Sequence, residues 1–211
     1  MQRPTHTSLT VCLDIKNPNS YLAWAPTCEL SEKLGIQVNW QPFVGPMRKA
    51  LPAPTESDDR GTRHRHTRAE YQRQDLLRYA ASAGVELRVL DRIIDSSLAA
   101  IGILWSSEQA PGIVVNYIDQ AFQACWRHER DISDVSVIRS LLGKAGAKTT
   151  GFEDYCLSAG SSDLNEHQTK LTEQGIFDTP FYLLHGDRFL GRQHLPMIEW
   201  LLTNKQASLP I

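Results

Sequence analysis

The joint across residues 8–21 constrains the fold of this chain more than any other stretch. Residues 8–15 alternate apolar side chains at Leu9, Val11, Leu13 and Ile15, the period of a β-strand. Asn17 and Pro18 follow at once. Asparagine is a favoured helix N-cap, and proline at the first helical position gives up no hydrogen bond. The joint therefore predicts a strand that runs directly into a helix. Such a helix start presents backbone N–H groups and the positive end of the helix dipole, a corner suited to an anion or a thiolate. The residue in that corner is Asn17, neither a cysteine nor a serine. Its oxygen is expected to cap the helix, leaving its NH₂ to face the cleft. A carboxamide is no nucleophile and forms no mixed disulfide, so thiol exchange borne by this position is excluded.

The pattern continues through Tyr21, Leu22, Ala25, Leu30 and Leu34 to Gly35, a helix with a C-terminal glycine and an expected kink at Pro26. Ile36, Val38 and Trp40 then alternate as a second strand closed by Pro42. The opening reads β-α-β, which implies parallel strands and a right-handed crossover. Residues 44–68 break every periodicity and read as a long surface loop, mobile or ordered by a ligand. That stretch carries Pro46, Pro52, Pro54, Asp58-Asp59 and the basic cluster Arg63, His64, Arg65, His66 and Arg68. Helical patterns follow over residues 69–83, 91–105, 112–130, 134–145 and 151–174, the last interrupted near Gly160. Residues 181–185 and 188–190 read as a hairpin about Gly186-Asp187, and Leu195, Ile198, Leu201 and Leu202 face one side of a closing helix. The order β-α-β, helices, β-β-α fits an α/β, thioredoxin-like sheet split by a large all-helical insertion. The expected division is residues 1–45 with 175–211 for the sheet domain and 46–174 for the insertion.

Composition narrows the function classes. With 41% hydrophobic and 22% charged residues and a net charge of −2, no face is forced to be basic, which argues against nucleic acid as a partner. Cys12, Cys28, Cys125 and Cys156 form no CxxC pair and no zinc spacing, and the seven histidines show no ligand spacing, so no metal is expected. Cys28 lies too far along its helix to feel the N-terminal field and reads as an inert thiol. No apolar run reaches the ~18 residues of a membrane span, and no apolar leader opens the chain, so a soluble, cytoplasmic protein with reduced cysteines is expected.

Three stretches together resemble one family: DIKNPNSYLA from Asp14, RDISD from Arg130, and GIFDTPFYLLHGDRFLGRQHLPMIEWLL from Gly175. They are similar to the DsbA-like branch that holds 2-hydroxychromene-2-carboxylate isomerases and kappa-class glutathione transferases. The resemblance implies a thioredoxin domain with an inserted helical domain, commonly a homodimer, with glutathione in the cleft. Members carry Ser-Pro at the helix start, where the serine hydroxyl bonds the glutathione sulfur; Asn17 stands at that position. Members close with Gly-x-Asp-Arg, whose acid holds the γ-glutamyl end; here Gly191-Arg192-Gln193-His194 puts Gln193 in its place. The resemblance also implies a cis bond before Pro180, turning the Thr179 backbone toward the corner to pair with a peptide-like ligand.

The candidate residues follow. Asn17 and Tyr21, one turn into the helix, are the catalytic candidates. Lys16, Pro18, Thr179, Pro180, Arg192 and Gln193 are the cofactor candidates, with the arginines and Lys16 placed to meet carboxylates. Trp105, followed by Ser106-Ser107, is a candidate wall for an aromatic substrate. The leading expectation is a glutathione-dependent isomerase or transferase acting on a small aromatic acid. A thioredoxin-fold binding module without turnover is the alternative, and a disulfide oxidoreductase, opposed by the cysteine spacing, comes last.

Overall fold

The computed structural model describes residues 9–46, 54–85, 87, 94–110, 112–127 and 130–203. Strand β1 (Leu9–Leu13) leads into helix α1 (Pro18–Leu34) and strand β2 (Val38–Pro42), which pairs parallel with β1. Strands β3 (Phe181–Leu184) and β4 (Asp187–Leu190) form the hairpin, and β3 runs antiparallel to β1. The sheet order is β2-β1-β3-β4, so β1 is central and paired on both edges.

A central strand is covered on both faces, and the register shows how. Val11 lies opposite Tyr182, whose phenol meets the Thr27 hydroxyl of α1 at 3.1 Å, so Leu9, Val11 and Leu13 face that helix. Cys12 turns the other way into a cluster with Phe43, Leu171, Ile176 and Phe181. The alternation of Leu9, Val11 and Leu13 thus marks one of two buried faces.

Helix α1 begins as its sequence dictates: Asn17 is the N-cap, its Oδ1 accepting from Asn19 N at 2.9 Å. It ends at Gly35, whose φ of 61° is left-handed and whose neighbour Ile36 N returns to Ser31 O. The helix runs unbroken through Pro26. Its wall against the other helices is aromatic, with Trp24 close to Trp40 and Phe122.

The helices that follow are α2 (Arg60–Ser82), α3 (Ser97–Ser107), α4 (Ile113–Trp126), α5 (Val135–Lys144), α6 (Phe152–Leu157) and α7 (Gly160–Glu173), with α8 (Leu195–Leu202) after the hairpin. Asp134 caps α5 by accepting from Ser136 N at 2.8 Å, and Asp131 caps the turn before it. Helix α3 is the hub of the helical packing, with Ala99, Ala100, Ile101 and Ile103 buried. Gly102 leaves room for the buried Tyr117 phenol, which donates to Ala99 O at 3.0 Å.

The chain divides into two compact units, residues 1–45 with 94–211, and residues 46–93. Within the second, the expected loop over 44–68 is corrected: α2 starts at Arg60, so Arg63, His64, Arg65, His66 and Arg68 are helical. Asp59 supplies the cap, its side chain accepting from Thr62 N. Only Ala80 of this helix is buried among its described residues, which is why no apolar period marks it. Short-range pairs such as Arg73–Glu70 and Arg78–Asp75 line it instead. The helix expected over 91–105 begins only at Ser97, and residues 91–93 lie outside the described ones, as do residues 47–53 of the expected loop.

Candidate functional site

The strand–helix corner is built from two backbone turns and one turn closed by the Asn17 side chain. Asn17 N donates to Asp14 O at 3.0 Å, closing the turn out of β1, and Tyr21 N donates to Asn17 O at 3.1 Å, opening α1. Asn19 N is taken by the Asn17 side chain. Pro18 has no N–H, so Ser20 N is the first-turn donor without a partner among the described residues.

The loop before β3 meets this corner. The Thr179–Pro180 bond is cis. Asn17 Nδ2 donates to Thr179 O at 2.8 Å and to Thr179 Oγ1 at 3.0 Å. This corrects the expectation that the Asn17 NH₂ faces the cleft. Both of its protons are committed, and its oxygen is committed to the cap. Thr179 is 4% exposed, and its N–H donates to the neighbouring Asp178 Oδ1 at 2.9 Å. The backbone N–H and C=O of Thr179 thus each already have a partner within the chain. What Thr179 retains is the proton of its own hydroxyl, since Oγ1 accepts from Asn17 and has one hydrogen to give.

Gly191 N donates to Pro180 O at 2.9 Å, which brings the turn Arg192–His194 beside the cis-proline. Gln193 does not reach outward from it: Nε2 donates to Leu190 O at 2.8 Å, and its amide fills the space that a Cβ on Gly191 would take. The buried Tyr182 phenol is pushed up to about 12 by desolvation, a rise offset in part by the Thr27 hydroxyl and then by the charge of Arg192.

Three other candidates sit elsewhere than expected. Lys16 is turned inward onto the carboxylate of Asp14, Nζ to Oδ2 3.2 Å, with its side chain only 11% exposed. Tyr21 stacks on Trp126 with ring centroids 6.1 Å apart, and its phenol oxygen accepts from Arg127 Nε at 3.0 Å. It is part of the aromatic wall between α1 and α4. Trp105 donates to Lys148 O at 2.8 Å and packs against Phe152 and Tyr155, partners all drawn from the helical segment. The structure joins Asn17, Pro18, Thr179, Pro180 and the Gly191 turn; Tyr21 and Trp105 have other neighbours.

Three of the four thiols are raised away from the range of ready exchange. Burial pushes Cys12 up to about 12; burial with the negative charges of Glu32, Asp119 and Glu29 does the same for Cys28. Cys156 is also raised, by burial and then by Glu153. Among the described residues, no group of three or more histidine, cysteine or acidic side chains is placed to hold a metal, and no helix is long and apolar enough to cross a membrane.

Residues that sequence reading missed are Asp14, Ser96, Arg127 and Gln168. Asp14 carried one signal: an acid at the buried end of an apolar strand, two residues before a lysine.

A thioredoxin sheet with a cis-proline loop set against a helix N-terminus defines a thioredoxin-like class. The model of the DSBA-like thioredoxin domain matches residues 9–203, and the chain belongs to that family. Among solved structures, a 2-hydroxychromene-2-carboxylate isomerase is similar at 20% identity and a TM-score of 0.73, covering 93% of this chain and 95% of its own. A probable DsbA oxidoreductase from Streptomyces coelicolor is similar at 16% identity and a TM-score of 0.71, covering 97% and 93%. The cytosolic disulfide reductase DsbM from Pseudomonas aeruginosa, solved with GSH, is similar at 17% identity and a TM-score of 0.59, covering 94% and 93%. No curated protein matches the chain. At these identities the likeness is one of fold.

Proposed function

We propose that this chain is a cytoplasmic enzyme of the glutathione-dependent isomerase or transferase type, acting on a small aromatic acid of the 2-hydroxychromene-2-carboxylate kind. One observation carries the reading: the corner holds no thiol, and Asn17 spends its amide on Thr179, leaving the Thr179 hydroxyl as the side-chain donor beside the helix start. Glutathione, when bound, would supply the nucleophilic thiol that the corner lacks. The α1 dipole, the Ser20 N–H and the Thr179 hydroxyl favour negative charge on a sulfur at this place. The role first given to the Asn17 amide thus passes to Thr179, and Asn17 becomes the residue that orients it.

The fit is uneven along the tripeptide. The sulfur end has donors; the γ-glutamyl end lacks the family's acid, and Gln193 is turned onto Leu190. That unevenness favours a second reading, a binding module that kept the scaffold without turnover. A panel of 2-hydroxychromene-type acids assayed with and without glutathione separates them. Glutathione-dependent conversion, reduced about tenfold by Thr179→Val through loss of one charge-assisted hydrogen bond, supports the enzyme. Saturable glutathione binding without conversion supports the module. Reduction of insulin disulfides by the chain would overturn both.

A further inference from the structure

The chain leaves the sheet unit at Gly45 and rejoins it at Ile94. The first stem is held in an unusual way. Val44 N donates to Gln168 Oε1 and Val44 O accepts from Gln168 Nε2, both at 3.0 Å. Gly45 N donates to Asp14 Oδ2 at 2.9 Å, and Gly45 O accepts from Lys16 Nζ at 2.7 Å. All four backbone groups of this dipeptide are thus satisfied by side chains.

The second stem meets the same pair. Ser96 Oγ donates to Asp14 Oδ1 at 2.6 Å and accepts from Lys16 Nζ at 3.3 Å. One ammonium therefore bridges Gly45 and Ser96, and one carboxylate, 2% exposed, bonds both as well. Asp14 also builds the corner: its backbone O accepts from Asn17 N and its Oδ1 accepts from Lys16 N at 3.1 Å.

We propose that Asp14 and Lys16 form a latch that joins the two stems of the 46–93 excursion to the strand–helix corner, so that stems and corner open as one local unfolding unit. The physical reason is the buried charge. With one partner removed, the other is left desolvated and unpaired, a situation that forces local opening rather than a small adjustment. Because Asp14 serves Gly45, Ser96 and Asn17 together, opening at one releases the others. The latch stands whether or not glutathione binds, so its test is independent of the proposed activity.

The test is amide hydrogen exchange on the intact chain, comparing wild type with Lys16→Met and Gln168→Leu. Lys16→Met is expected to speed exchange at Gly45, Asn17 and the position-16 amide together by about tenfold or more, the loss of roughly one charged hydrogen bond. Tyr182 in β3 is expected to keep its protection. Gln168, whose side-chain hydrogen bonds among the described residues go to Val44 alone, is replaced in Gln168→Leu, which is expected to speed Val44 and leave Asn17 unchanged. If Lys16→Met lowers protection throughout β1 and β3, Ser96→Ala takes its place as the milder probe, with the same joint response expected. Acceleration at Gly45 with Asn17 unchanged, or no acceleration at either, would overturn the latch.

Discussion

Replacing Asn17 tests the corner at its most specific point, because its side chain performs two separable tasks. Oδ1 caps α1 through Asn19 N, and Nδ2 ties the helix to Thr179 O and Oγ1. Loss of a cap costs about 1 kcal/mol. Each hydrogen bond to Thr179 is worth roughly 0.5–1.5 kcal/mol net, and Thr179 is too buried to recover both from water. Asn17→Ala is therefore expected to destabilise by ~2–4 kcal/mol, a Tm decrease of roughly 5–12 °C for a chain of this size. Asn17→Ser keeps the cap and loses the tie, for ~1–3 kcal/mol. Asn17→Asp also keeps the cap and gains from the helix dipole, yet sets a carboxylate against the Thr179 carbonyl, so it is expected to fall no higher than serine. Urea denaturation measures the series, and a double-mutant cycle with Thr179→Val isolates the Oγ1 half of the tie as a coupling of about 1 kcal/mol. The reasoning fails if Asn17→Ser matches wild type and Asn17→Ala loses only the cap.

Further outcomes follow from other parts of the chain. Gly102→Ala places a Cβ against the buried Tyr117 phenol and is expected to cost roughly 1–3 kcal/mol. Tyr117→Phe in the same chain is expected to recover part of that, and additive losses in thermal unfolding would contradict the contact. Cys12 and Cys28, both pushed up to about 12, are expected to resist a disulfide reagent in the folded protein at neutral pH. Mass-mapped modification of either within the time needed for a free thiol would contradict it. His167, whose buried Nε2 has no hydrogen-bond partner among the described residues, is held below its ordinary value by burial and then by Lys170. The unfolded chain takes the proton first, so stability is expected to fall as pH drops through about 6.5 toward the lower folded value. His167→Gln is expected to flatten that slope in pH-dependent denaturation, and an unchanged slope would assign it to other groups.

Much of the fold was legible because it rests on local rules. Leu9, Val11 and Leu13 gave the strand, Asn17-Pro18 the helix start, Gly35 its end, and Gly186-Asp187 the hairpin. Helix α2 was hidden because it buries only Ala80 among its described residues; its determinants are the Asp59 cap and pairs along its surface, which leave no apolar period. The corner was legible as a place, since asparagine before proline caps a helix. The direction of the Asn17 amide was not, because its partner Thr179 lies 162 residues away. Lys16 read as a cofactor cation for the same reason: Gly45 and Ser96, 29 and 80 residues away, decide where its charge goes. Tyr21 turned out to belong to an aromatic wall completed by Trp126 and Arg127, neighbours that helix periodicity alone does not name.

The central claim is that the corner takes the thiol of glutathione with Thr179 as its donor. Calorimetric titration of the wild-type chain with glutathione tests it most directly. The account predicts saturable heat in the millimolar range or below, weakened about tenfold by Thr179→Val through loss of a charge-assisted hydrogen bond. No saturable heat at millimolar glutathione, or equal affinity in the Thr179→Val chain, would contradict it.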